Sequence, residues 1–164
     1  MARSELSIEE TLTLLAEAPR RIAEFTEGLS PEWVRLRSSA DAWSINDILA
    51  HLRACADMWG DGIARIMAAD HPTFRAINPR NWIEQTDYPD LDFRSSFEAF
   101  AAQRAELVSI LKALAPDDWD RSGTVTGAGK PLERTVRSFA ERLVVHERSH
   151  LKEIGRLAEA LRAS

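Results

Sequence analysis

The sequence predicts an all-α four-helix bundle with a long loop between its second and third helices. Four segments carry apolar residues at intervals of three or four, as the buried stripe of an amphipathic helix requires, and no segment shows a convincing strand alternation. Two of these segments open with a capping box, which marks a helix start. A length of 164 residues suits one core, so we expect a single domain over residues 1–164.

The first two helices are marked at their starts by serine. The first is predicted to follow Ser7 and to stop at Gly28, with Pro19 kinking it or restarting it. The second is predicted to follow Ser44, with Asp47 closing the capping box. Its apolar stripe consists of Ile45, Ile48, Leu52, Cys55, Trp59, Ile63 and Ile66.

The last two helices are bounded by an acidic cap and by prolines. The third is predicted to follow Asp92 and to end before Pro116. The fourth is predicted to begin at Pro131, because proline suits the first helical position, and to continue to about Leu161. Both have an apolar face of the kind that a bundle buries.

The stretch from residue 70 to residue 91 is the predicted long loop. A connection of that length in a small domain is usually a lid, a binding loop or a contact surface. It contains three prolines beside Trp82 and Tyr88, which indicates that it packs against the bundle. Those two aromatic side chains are expected either to cover a pocket or simply to pack the loop.

Charge and composition exclude several classes of partner. The 21 basic and 26 acidic residues give a formal net charge of −5, and no basic run stands out, so a nucleic-acid partner is not expected. A single cysteine, Cys55, allows no internal disulfide, and the N-terminal stretch carries acids where a signal peptide would be apolar. No apolar run is long enough to span a bilayer. We therefore expect a cytoplasmic protein without a membrane partner.

The fourth predicted helix carries the pattern H-E-x-x-H, from His146 to His150. Both histidines occupy the apolar seam, about 40° apart around the helix axis, so their rings can converge on one ion. Burying two imidazoles without partners costs about 1–3 kcal/mol each. This cost favours a metal over simple hydrogen bonds to neighbouring helices.

A zinc peptidase is not expected despite this pattern. The extended peptidase motif needs glycine and histidine at two positions where the chain has Glu153 and Arg156. The sequence also stops at Ser164, too soon after the pattern for a distant third ligand. The third ligand must therefore come from upstream, from His51 or His71. His51 borders the inward face of the second helix, whereas His71 lies in the loop, so His51 is preferred.

The order of these motifs resembles the DinB-like family of helical-bundle proteins. The matching features span nearly the whole chain: the proline in the first helix, the run W-S-I-N-D-I-L-A-H-L at the second, and H-E-R-S-H in the fourth. In that family one histidine of the second helix and two of the fourth hold a metal. The resemblance thus implies the ligands His51, His146 and His150. Ala54 and Ala56 stand where many members have acids.

The resemblance also implies a class of function. Relatives include thiol S-transferases that use bacillithiol or mycothiol, and mycothiol-dependent maleylpyruvate isomerases. Three neutral imidazoles leave a divalent ion, zinc or nickel, with an open position that lowers the pKa of a bound water or thiol. The first hypothesis is a metal-dependent enzyme, a thiol S-transferase or hydrolase acting on a small molecule. The second is a non-catalytic metal-binding protein or dimeric scaffold of the stress type, and a homodimer is expected in either case.

Three further side chains are candidates near this site. Arg104 in the third helix can clamp a carboxylate of the substrate or thiol. The favoured alternative is that it pairs with a buried acid or extends its charged end to solvent. Glu147 lies about 60° around the helix from His150 and suits a base, an acceptor for an imidazole, or a solvated ion pair. Arg104 and Glu147 are the candidate catalytic residues. Cys55 borders the His51 face and could contact the metal, but a small buried apolar role is preferred for it.

Overall fold

A computed structural model describes residues 6–164 as five helices and three short strands. The first five residues, part of the N-terminal stretch that argues against a signal peptide, lie outside the described residues. Within the described part, no helix has the length and apolar character needed to cross a membrane. The elements are α1 (Ile8–Thr26), α2 (Ile45–Ala68), β1 (Thr73–Arg75), α3 (Pro79–Ile83), α4 (Phe93–Lys112), β2 (Ser122–Thr126), β3 (Leu132–Thr135) and α5 (Val136–Ala163).

Helices α1, α2, α4 and α5 form the predicted four-helix bundle. Helix α5 packs against α1 and α2, and α4 packs against the same two helices, which places α4 and α5 diagonally across the core. The predicted capping boxes begin α1 and α2: Ser7 bonds with Glu10, and Ser44 bonds with Asp47. Helix α1 continues through Pro19 to Thr26 without a restart. The all-α architecture and these two helix starts are confirmed.

The predicted start of the last helix is wrong. Pro131 does not open it, because the residues that follow form β3, which pairs antiparallel with β2. Helix α5 begins only at Val136, where Thr135 accepts a hydrogen bond from the Ser138 amide and so supplies the cap. Strand β1 pairs in parallel with β2 and completes a small sheet beside the bundle. Strands of three to five residues are too short to show the alternation that identifies a strand in sequence.

The carboxylate of Asp57 in α2 is one of the groups that hold the long loop against the bundle. Trp82 Nε1 donates to Asp57 Oδ2 at 3.0 Å, and the Tyr88 hydroxyl donates to the same oxygen at 2.6 Å. Gln103 Nε2 in α4 donates to Oδ1 at 2.6 Å. Burial and the bond to Asp57 raise the pKa of Tyr88 to about 12, so its hydroxyl stays a donor at neutral pH. The expectation that this segment packs against the bundle is confirmed.

Replacing Asp57 with alanine is expected to loosen the loop. The variant leaves three donors without their charged acceptor, which should lower the free energy of unfolding by about 1–3 kcal/mol. Limited proteolysis should then cut between residues 70 and 91 faster than in the wild type. Asp61→Ala is the matched control, since the Asp61–Arg65 pair is exposed and contributes at most about 1 kcal/mol. Equal cleavage of both variants would contradict the anchoring role of Asp57.

Candidate metal centre

Four ring and sulfur side chains meet where α2 faces α5. His51 and Cys55 lie one turn apart on α2, and His146 and His150 lie one turn apart on α5. The three imidazoles form a near-equilateral group, here called the histidine cluster. Its ring centroids are 5.0 Å apart for His51 and His146, 4.9 Å for His51 and His150, and 4.7 Å for His146 and His150.

The closest ligand atoms in this region belong to His51, Cys55 and His146. The two Nε2 atoms of the histidines are 3.1 Å apart, and the Cys55 sulfur lies 3.7 Å from the first and 3.9 Å from the second. One ligand atom from each of the three residues falls within 4.8 Å of the other two. This spacing is compatible with one shared ion, and imidazole and thiolate together form a donor set typical of zinc.

Two tryptophans enclose the histidine cluster. The ring of Trp43 lies 5.0 Å from that of His51 and is stacked 6.2 Å from that of His150. Trp59 meets His146 edge-on, with ring centroids 4.9 Å apart. These contacts restrict the rotation of each imidazole, which keeps the rings directed at one another. A tryptophan on each side also lowers the local polarity, and this favours neutral imidazoles.

The cluster opens on one side into a surface cleft. The cleft has a volume of about 350 Å³, and His51 contributes to its wall. Trp43 and Ile83 provide apolar surface, and Arg80 adds a cationic group. A small molecule in this cleft would therefore contact the face of His51, beside the point where the ligand atoms converge.

The histidines are held in the neutral form that metal ligation needs. Burial lowers the pKa of His51 to about 4, with further lowering from the neighbouring His150 and from Arg80. Burial, together with His150 and His51, likewise lowers the pKa of His146 to about 4. Burial lowers the pKa of His150 too, although Glu153 opposes it. In the metal-free protein, burial raises the pKa of Cys55 to about 12, so its thiol is neutral.

Unpaired ring nitrogens are a further sign that the cluster suits a metal. The Nδ1 atoms of His146 and His150 are buried and have no hydrogen-bond partner within residues 6–164. An unmet buried polar atom costs about 1–3 kcal/mol, and an ion bound through Nδ1 of His150 would offset that cost. His146 faces His51 through Nε2, so an ion between those two atoms leaves Nδ1 of His146 unmet. The donor types, their spacing and their neutral state all fit a divalent ion.

The metal-free protein is expected to lose stability as the pH falls from about 6.5 towards 4. An unfolded histidine has a pKa near 6.5, whereas His51 and His146 titrate near 4 in the folded state. Over that range the unfolded state binds more protons, so acid favours unfolding, and the effect levels off below the folded pKa. Urea unfolding of chelator-treated protein between pH 7 and pH 5 measures the slope. In a His51→Gln/His146→Gln double variant the free energy of unfolding should depend less steeply on pH. A slope equal to that of the wild type would contradict the assignment of this pH dependence to the two histidines.

Arg104 and Glu147 form an ion pair inside the core. Arg104 is 2% exposed and Glu147 is 3% exposed. Arg104 Nη2 lies 2.6 Å from Glu147 Oε1 and donates to Oε2 at 2.9 Å, and Arg104 Nη1 donates to the Leu15 carbonyl at 3.1 Å. Of the two arrangements favoured for Arg104 from the sequence, the structure shows the pair with a buried acid and not the extension to solvent. The solvated position considered for Glu147 is wrong, because its side chain points between the packed helices.

His71, the alternative ligand, lies apart from this cluster. Its ring nitrogens are 3.0 Å from the Ser122 hydroxyl and 3.1 Å from the Thr124 hydroxyl, both in β2. Cys55, for which a small apolar role was preferred over contact with the metal, lies against two imidazoles. The available signal was its position four residues after His51, which puts both side chains on one face of α2.

Comparison with known proteins places this geometry in a family. A family model of the DinB superfamily matches residues 14–154. Among solved structures, YfiT from Bacillus subtilis, described as a probable metal-dependent hydrolase with an unusual four-helix bundle topology, superposes with a TM-score of 0.75. The match covers 98% of this chain and 93% of YfiT, at 16% sequence identity. A search of curated proteins found no match. Since the family model covers most of the bundle, including all three histidines of the cluster, this chain belongs to the DinB superfamily.

Proposed function

We propose that this protein is a metal-dependent enzyme that hydrolyses a small molecule at an ion held by His51, His146 and His150. The observation that carries the proposal is the meeting of three imidazoles from two helices, with ring centroids 4.7–5.0 Å apart and the Nε2 atoms of His51 and His146 3.1 Å apart. His150 is included because its ring lies against the other two, whereas the group of mutually close ligand atoms consists of His51, Cys55 and His146. The description of YfiT as a probable metal-dependent hydrolase supports the same class of activity. Three histidine ligands leave a coordination position open, as in catalytic rather than structural zinc sites.

In such a site the metal ligands and the residues of the cleft have different roles. A bound zinc or nickel ion supplies Lewis acidity and brings the pKa of a water or thiol toward neutrality. Trp43 and Trp59 pack against the half-buried imidazoles and help to hold them in place. Arg80, which lines the cleft beside His51, is positioned to bind an anionic group of the substrate.

The buried ion pair has a positioning role in this proposal. Arg104 and Glu147 bond to each other across the core, so neither charged group is available to a molecule in the cleft. Glu147 directly follows His146 on α5. Because its carboxylate is bonded to Arg104 on α4, that bond restricts the rotation of α5 about its axis. That rotation sets where the two histidines of the helix point. A direct catalytic role for either residue stays a prediction from the sequence.

Thiol transfer is the second candidate reaction, in line with the family resemblance. An external low-molecular-weight thiol would bind at the same ion as a thiolate, a nucleophile for an electrophilic substrate. The cationic Arg80 at the cleft favours this candidate, because its guanidinium suits the carboxylates that such thiols carry. Hydrolysis and thiol transfer would therefore share one site and differ only in the nucleophile.

Activity assays after metal exchange test the proposed function. Chelator-treated protein is reloaded with zinc or nickel and assayed on chromogenic esters, amides and phosphoesters, and separately with bacterial low-molecular-weight thiols and an electrophile. Metal should raise turnover at least about 100-fold in the wild type and not in His51→Ala. Turnover only with thiol would select the transferase. Metal binding without either turnover would instead support the non-catalytic alternative.

A homodimer is a further prediction, and it is compatible with both the catalytic and the non-catalytic alternative. Exposed apolar side chains lie on the outer surface of the bundle, with Ile110 47% and Val145 59% exposed. Burying such groups between two copies would be favourable. Light scattering coupled to size exclusion should give twice the mass of the 18.4 kDa chain. A mass equal to that of one chain would contradict the prediction.

A further inference from the structure

The side chain of Cys55 is buried and lies against the histidine cluster. It is 1% exposed, and its sulfur faces Nε2 of His51 at 3.7 Å and Nε2 of His146 at 3.9 Å. The sulfur is therefore buried beside two ligand nitrogens, where a purely space-filling thiol would meet hydrocarbon.

We infer that Cys55 is an additional ligand of the ion at this centre, bound as a thiolate beside His51 and His146. The inference rests on the proposed metal site and specifies one of its ligands. In a tetrahedral zinc site, Zn–N bonds of about 2.0–2.1 Å and a Zn–S bond of about 2.3 Å put two nitrogens about 3.3 Å apart and a nitrogen and sulfur about 3.6 Å apart. The distances here are 3.1 Å between the nitrogens and 3.7 and 3.9 Å from sulfur to nitrogen. All three lie within a few tenths of an ångström of the zinc values.

The charge of the ion itself favours a thiolate ligand, against the burial and the Glu147 carboxylate that raise the pKa of the metal-free thiol. Neutral imidazoles add no negative charge to a divalent cation, and two arginines lie nearby. Arg80 lines the adjoining cleft, and the Arg142 guanidinium lies 5.5 Å from the ring of Trp59, which packs on His146. A Cys55 thiolate reduces the net charge of the bound ion from +2 to +1. The thiol proton leaves to solvent as the metal–sulfur bond forms, so each ion bound through Cys55 releases one proton.

A thiolate ligand determines which metal the centre prefers. Sulfur ligands favour zinc over harder ions such as magnesium or manganese, which prefer oxygen. Zinc in catalytic sites can expand to five ligands, so Cys55 ligation is compatible with a position for substrate or water. We therefore expect zinc to be the ion retained on purification, and its affinity to fall more than about 100-fold in Cys55→Ala, because the variant loses a ligand and not only a residue that orients one.

X-ray absorption on the zinc-loaded protein tests the inference directly. The wild type should show one sulfur neighbour at about 2.3 Å in addition to imidazole nitrogens at about 2.0–2.1 Å. The cobalt-substituted wild type should show a thiolate-to-cobalt charge-transfer absorption in the near ultraviolet. Both signals should disappear in Cys55→Ala, while the imidazole signal remains. The wild-type spectrum alone decides the question if that variant does not fold.

The possible outcomes separate this inference from the proposed function. A zinc spectrum with histidine nitrogens and no sulfur would overturn the role of Cys55 and leave the three-histidine site in place. A sulfur neighbour in a protein without metal-dependent turnover would support Cys55 ligation and overturn the proposed catalysis. Failure to bind zinc or cobalt stoichiometrically would overturn both.

Discussion

Replacing Arg104 with alanine is expected to lower the free energy of unfolding by about 3–5 kcal/mol, a large share of the stability of a small domain. The substitution leaves the Glu147 carboxylate, 3% exposed, without its partner in the core. It also removes the donor to the Leu15 carbonyl. Urea unfolding followed by circular dichroism at pH 7 measures the loss. Arg94→Ala on the same helix is the matched control, because its pair with Glu98 is exposed and contributes at most about 1 kcal/mol.

The loss in Arg104→Ala should depend on pH. Burial raises the pKa of Glu147, and Arg104 opposes that rise in the wild type. Without the guanidinium the carboxyl titrates higher still, so the folded variant holds a proton that the unfolded chain releases. A group of this kind stabilises the fold at low pH, and that contribution is lost as the pH rises. The difference in free energy of unfolding between the wild type and Arg104→Ala should therefore be smaller at pH 5 than at pH 8. A difference that does not change with pH would contradict an unpaired Glu147 as its cause.

A double variant separates the structural contribution of the pair from a catalytic one. Arg104→Met with Glu147→Leu replaces both charges by apolar groups of similar size, which is often neutral or stabilising for buried pairs. If the pair only positions α5, the double variant should keep zinc affinity and turnover. Loss of turnover with normal zinc affinity would instead assign Glu147 or Arg104 to the reaction.

The bundle is predictable from the sequence because its signals are local. The serine caps of α1 and α2, each with an acid three residues later, and apolar stripes of helical period mark most of the architecture. The sheet escapes detection because β2 and β3 are held by pairing with each other and with β1, which lies more than forty residues earlier in the chain. A proline well suited to a helix start therefore precedes a strand, and the tertiary pairing overrides the local preference.

The candidate site is predictable in part for a similar reason. The spacing of His146 and His150 puts both rings on one face of α5 whatever the neighbouring helix is. Which partners meet them depends on how α2 lies against α5, and that arrangement brings Cys55 to the cluster as well as His51. Glu147 shows the limit of helical periodicity: it lies beside the seam, yet a cation on the diagonal helix α4 draws it into the core.

Replacing His146 with alanine is expected to weaken zinc binding by more than about 100-fold. Residues that only orient a ligand typically contribute 10- to 100-fold to metal affinity, so removal of a ligand itself should cost more. His146 contacts both other members of the histidine cluster, and its Nε2 lies 3.1 Å from that of His51. Competition with a chromophoric chelator measures the affinity, and circular dichroism confirms that the variant is folded.

His71→Ala is the matched control for this experiment, since it removes an imidazole that bonds to Ser122 and Thr124 in the sheet. Its zinc affinity should equal that of the wild type. A comparable loss in both variants would mean that zinc binds histidines non-specifically. Unchanged affinity in His146→Ala would mean that the clustered rings pack in the core without a metal, and the site proposed here would not exist. A loss confined to His146→Ala requires that the ion sit where α2 and α5 meet, because only there do imidazoles from two helices approach within ligand distance in the described chain.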